Sequence, residues 1–137
     1  MEKIEKIKAA SLPRFAVCTK TGVLADQHFG HATAFHIYEY DGGKVQKLEE
    51  RPVRPYCTGP EECDPDERMA DILKAAEDCC CVVCMRIGPG PEKALRDKGI
   101  AVHTTYGTIE TAVSQAAANA EWNRLHNKKQ KIKKPPR

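Results

Sequence analysis

Apolar and polar positions along the chain fall into blocks with two different periods. Phe15-Ala16-Val17-Cys18-Thr19 is apolar without alternation, which suits a first strand buried on both faces. Ala34 to Tyr40 alternates. Phe35, Ile37 and Glu39 share one face and His36, Tyr38 and Tyr40 the other, so this is a second strand. Asp41-Gly42-Gly43 supplies residues that accept the positive φ of a tight hairpin turn. The polar stretch Lys44 to Arg51 then reads as a third strand on a sheet edge, ended by Pro52 and Pro55. Asp64 as cap, Pro65 in the first turn and Glu67 at capping-box spacing open a helix. Met69, Ile72, Leu73 and Ala76 give that helix one apolar stripe. Cys79 to Met85 is apolar on both faces, as a central strand requires. Gly88-Pro89-Gly90-Pro91 opens a short helix, beginning near Pro91, that Gly99 closes. Ile100 to Thr104 is a last strand. Thr108 caps a long Ala-rich helix with Ile109, Ala112, Val113, Ala116 and Ala120 inward.

The order is β-β-β-α-β-α-β-α, which predicts a three-layer α/β domain with a five-stranded mixed sheet. The hairpin sets the second strand antiparallel to the first and third. Right-handed crossovers set the last two strands parallel to the first. This layering resembles that of ribonuclease H, but a two-metal nuclease needs clustered carboxylates, and Phe15-Ala16-Val17-Cys18-Thr19 has none. Residues 14–127 form the expected domain. Residues 1–13 form a flexible lead-in, and 128–137 a disordered basic tail.

Composition changes the picture in three places. At 137 residues the chain is long enough for one sizeable core. No apolar run reaches the ~18 residues of a membrane span. The charged start Met1-Glu2-Lys3-Ile4-Glu5-Lys6 lacks the apolar core of a secretory signal, which points to the cytoplasm. Of the net charge of +3, the tail alone contributes six Lys and Arg, so the preceding residues carry −3. A basic tail can attract nucleic acid, but the aromatics form no stacking platform, which argues against that partner. Seven cysteines are an odd number. In a reducing compartment they read as buried thiols or metal ligands and not as disulfides.

Direction of travel decides which loops meet. The first, third, fourth and fifth strands point the same way, so the loops leaving their carboxyl ends share one rim, where open α/β sheets bind ligands. Those loops carry His28 and His31, then Cys57 and Cys63, then Arg86 with Gly88 and Gly90, then Thr105-Tyr106-Gly107 beside His103. Imidazole and thiolate favour iron, zinc or copper over magnesium or calcium. A helix N-terminus with Arg86 favours an anion. Cys81 and Cys84 look like half a zinc site, yet residues three apart on a strand point to opposite faces. Cys79, Cys80, Cys81 and Cys84 therefore read as core. His36 reads as a sheet residue, and His126 as a cation suited to a helix C-terminus. There is no serine elbow, P-loop or Rossmann fingerprint.

Gln27-His28-Phe29-Gly30-His31-Ala32, then Phe35-His36-Ile37-Tyr38-Glu39, then Tyr56-Cys57-Thr58-Gly59 resemble the dinitrogenase iron–molybdenum cofactor-binding family, which includes NifX-type carriers and the C-terminal domain of NifB. The resemblance spans about Arg14 to Ala120. It implies a non-catalytic carrier, in nitrogenase cofactor biosynthesis, for an iron–sulfur cluster of FeMo-cofactor or precursor type. His28 is the implied cluster ligand, with His31 and Cys57 as further metal ligands. Cys63, Arg86, Gly88 and Gly90 complete the implied cofactor-binding set. The implied partners are a maturase, a scaffold and apo-dinitrogenase. The chain lacks the Cys-x3-Cys-x2-Cys motif of a radical enzyme. A related small orange protein binds a molybdenum–copper–sulfur cluster, so the identity of the cluster stays open. Two other readings stay open beside it: a metal-free regulatory or scaffold domain, and a simple zinc- or iron-binding module.

Overall fold

The computed structural model describes residues 12–55 and 65–119. Residues 1–11 of the expected lead-in, Cys57, Cys63, the cap at Asp64, Ala120, His126 and the basic tail lie outside the described residues. The elements are β1 (Arg14–Cys18), β2 (Ala34–Asp41), β3 (Lys44–Pro52), α1 (Pro65–Ala75), β4 (Cys81–Cys84), α2 (Pro89–Asp97), β5 (Ala101–Thr104) and α3 (Ile109–Ala118). A single 3-10 turn, Phe29–His31, interrupts the loop between β1 and β2.

The sheet order is β3-β2-β1-β4-β5. β2 is antiparallel to β1 and β3, while β4 is parallel to β1 and to β5. The hairpin turn works as its residues require, with φ of 54° at Gly42 and 103° at Gly43. β3 lies at the edge and is mostly exposed, as its charges demand.

Alternation sorts the core into two halves. Ala16, Cys18, Phe35, Ile37, Val82 and Cys84 pack against Met69 and Ile72 of α1 and Leu95 of α2. Phe15, Val17, Tyr38, Cys81 and Val83 pack against Ile109, Ala112, Val113 and Ala116 of α3. Helices thus cover both faces, and the three layers follow from the strand period of two. Cys81 and Cys84 fall in opposite halves, so they cannot share a metal.

Two helix boundaries differ from the sequence reading. α2 starts at Pro89, with Gly88 as its extended cap, and not near Pro91. Proline's fixed φ suits the first helical position, so Pro89 takes it. α3 ends at Ala118 with Asn119 as its cap, so it is a ten-residue helix. Its N-cap is as expected, with Thr108 Oγ1 accepting the Thr111 N–H at 3.2 Å. Among the described residues no helix is long and apolar enough to cross a membrane.

Candidate functional site

The loop between β1 and β2 is laid across the carboxyl rim by backbone bonds at two places. Toward β5 and α3, the Ala25 N–H donates to Gly107 O (2.8 Å) and the Ile109 N–H to Val23 O (2.9 Å). Beyond the end of β4, the Met85 N–H donates to Gln27 O (3.0 Å) and the Phe29 N–H to Arg86 O (2.8 Å). His28 and Arg86 thereby form a parallel bridge that continues the sheet past its last strand residues. The buried Asp26 closes the loop by accepting the Lys20 N–H at 2.9 Å.

Phe29 decides where the histidines go. Its ring is 1% exposed in the α1–α2 half of the core and tilts against Phe35 at 6.2 Å between centroids. The 3-10 turn is closed by the His31 N–H on His28 O (3.0 Å) and the Ala32 N–H on Phe29 O (3.2 Å). With Phe29 pointing inward, His28 and His31 flank it on the outside. His28 is half-buried and His31 exposed. Their rings stack, 5.4 Å apart and 13° from parallel.

This pair forms one wall of an open pocket of about 230 Å³, lined by His28, Phe29, Gly30, His31, Arg86, Ile87, Gly88 and Pro91. Arg86 is exposed. The helix N-terminus behind it offers fewer donors than the sequence reading assumed. Pro89 and Pro91 have no N–H, and the Glu92 N–H already serves Gly88 O at 3.1 Å. Gly90 is the donor left in that turn. A Cβ at Gly90 would meet nothing within 4 Å, and one at Gly88 only Pro91 Cδ at 3.7 Å. These two glycines therefore keep the rim low and are not needed to avoid a clash.

Of the expected site residues, His28, His31, Arg86 and Gly88 meet in this pocket, and Gly90 stands beside it. Cys57 and Cys63 lie outside the described residues. His103 pairs in register with Val83, which packs on the α3 side, away from the pocket. The sequence reading missed Phe29, Gly30, Ile87 and Pro91 as lining residues. The available signal was Phe29 itself, a large apolar residue between two histidines in a polar loop.

The ring geometry limits the chemistry. Imidazole donates to a metal along its ring plane at ~2.0–2.1 Å. Two nearly parallel planes 5.4 Å apart do not converge on one ion. They can reach two different atoms of a larger body lying across the pocket. Among the described residues no three His, Cys, Asp or Glu side chains group as a metal site.

A mixed α/β sheet whose carboxyl rim carries a histidine-walled pocket against a glycine- and proline-rich helix start defines a small layered α/β domain with one open rim that presents Arg86. The chain belongs to the family described as dinitrogenase iron-molybdenum cofactor, whose profile its residues 12–119 match. It is 38% identical over 115 residues to the FeMo cofactor biosynthesis protein NifB of Frankia alni, covering 83% of this chain and 22% of that one. It is 39% identical over 101 residues to NifB of Sinorhizobium fredii, covering 72% and 20%. The chain thus spans about a fifth of the length of these curated relatives. The crystal structure of PH0822 shares the fold, with a TM-score of 0.55 at 21% identity over 74% of this chain and 86% of that one.

Proposed function

We propose that this chain binds and carries an iron–sulfur cluster of FeMo-cofactor or precursor type during nitrogenase cofactor biosynthesis, without catalysing the cluster's assembly. The observation that carries this reading is the stacked His28–His31 pair. Parallel imidazoles suit two metal atoms of one extended cargo better than a single ion. The free guanidinium of Arg86 and the N–H of Gly90 suit its negative charge. The family and the names of the relatives support the same cargo.

His28 is the principal ligand in this reading. His31 and Cys57 assist, and Cys63, Arg86, Gly88 and Gly90 complete the contact. A ligand set this sparse suits a cluster that is received and later released. The donor and acceptor are then nitrogenase assembly proteins in the cytoplasm: a maturase, a scaffold and apo-dinitrogenase. The strand order with helices on both faces supports reading the fold as ribonuclease H-like. Residues 14–127 are the carrier domain, and the basic tail lies outside its function of holding cargo.

The test is anaerobic loading followed by iron, molybdenum and sulfide analysis. Several irons per chain with matching sulfide are expected. A single metal ion without sulfide, or no metal at all, would contradict the carrier reading.

A further inference from the structure

Cys18 and Cys84 are the last residues of β1 and β4. The two strands pair in parallel, with Phe15 opposite Cys81, Ala16 opposite Val82 and Val17 opposite Val83. One step further along that register sets Cys18 opposite Cys84. Both belong to the core half that also holds Phe29, so both side chains leave the sheet on one face. Neighbouring strands lie about 4.8 Å apart, within the ~4.4–6.8 Å between Cα atoms that a disulfide spans. Both thiols are free and fully buried.

Burial pushes the Cys18 thiol well up, with the neighbouring Cys84 adding to it. Burial, then Glu92, push Cys84 up to about 12, against a smaller lowering by a hydrogen bond from the Arg86 backbone. Both are therefore protonated and inert while the core is closed. Phe29 closes the rim end of that core, held by its N–H on Arg86 O.

We propose that Cys18 and Cys84 form a reversible oxidation site, a dithiol that peroxide converts to an interstrand disulfide when the Phe29–His31 turn lifts from the core. On opening, the Cys84 sulfur, the nearer to Arg86, attacks one oxygen of hydrogen peroxide. The O–O bond breaks, giving a sulfenic acid and one water. The Cys18 sulfur then attacks that sulfur, the S–O bond breaks, and the leaving hydroxide takes the Cys18 proton as a second water. Two thiols are oxidised and one peroxide is reduced to two waters. A dithiol reductant reverses the bond by exchange. The dithiol holds no cargo and does not depend on which cargo the rim takes.

The test treats the full chain with hydrogen peroxide, then unfolds it, blocks free thiols with maleimide, and maps the digested peptides by mass spectrometry. The expected product is a peptide pair joined through Cys18 and Cys84, released by dithiothreitol. Cys81→Ala gives the same product, and Cys18→Ala and Cys84→Ala abolish it. Phe29→Leu loosens the turn and forms the bond on the order of tenfold faster, the factor for ~1.4 kcal/mol off the opening step. Peroxide products confined to Cys57 and Cys63, with Cys18 and Cys84 still labelled by maleimide, would overturn the proposal. So would an unchanged rate in Phe29→Leu.

Discussion

At the scale of single residues, exposure separates binding from stability. His31 is exposed and His28 half-buried, so His28→Ala should move the melting temperature little. Loss of one ligand should lower cluster affinity by on the order of 10–100-fold or more, since even supporting partners of a metal site reach that range. Asp78 behaves in the opposite way. A hydrogen bond from Arg51, and a weaker contribution from Arg14, hold its carboxyl at about 2 against an ordinary 3.8. The folded value is the lower one, so the stabilisation is complete above about pH 4 and fades as pH falls toward 2. Its side chain is 40% exposed, so solvent screening keeps the effect below about 1 kcal/mol. Asp78→Asn should flatten the stability profile between those pH values in urea titrations and leave it unchanged at pH 7 apart from that offset. A variant with the parental acid slope would remove Asp78 from the account.

At the scale of elements, the Phe29–His31 turn couples the core to the rim. Phe29→Ala removes a buried ring and should cost about 3 kcal/mol in unfolding free energy. It should also free His28 and His31 from their stack, which imidazole resonances in an NMR spectrum would report. Retention of the stacked geometry in the variant would mean that the backbone bonds to Arg86 suffice. The α2 start offers a second test. Space around Gly90 is open, so Gly90→Val should fold normally yet weaken cargo binding if the cargo approaches the backbone there. Strands, hairpin and first helix were legible because apolar period and turn residues agreed on where each lies. The cysteine strand was legible for the same reason. Its apolar run left no room for a zinc pair, and Cys81 and Cys84 do face opposite halves of the core. The donor-poor start of α2 was legible in principle, since Pro89 and Pro91 announce the missing N–H groups. The register that sets Cys18 against Cys84, and the ring stacking of His28 on His31, depend on contacts between distant segments and on rotamers. No local pattern encodes them.

At the scale of the whole molecule, the rim is a product of topology. One hairpin and two crossovers set the strand directions, and with them bring His28, His31, Arg86 and Gly88 to the lining of one pocket. The two core halves lie beneath that rim and are built from buried apolar side chains. Thermal melts with and without chelator should therefore coincide. Loss of the cooperative transition on chelation would make the metal structural. Truncation of Lys128–Arg137 should leave cluster loading unchanged, because the rim residues come from elements that end before it. Loss of iron on truncation would bring the tail into the site.

The central claim is that cargo is held at the histidine rim and not on the cysteine strand. Anaerobic cluster titration of His28→Ala and Cys81→Ala beside the parent, each with a thermal melt, tests it most directly. Weakened binding with an unshifted melt is expected for His28→Ala, and parental binding with a lowered melt for Cys81→Ala. Parental affinity in His28→Ala together with lost affinity in Cys81→Ala would contradict it.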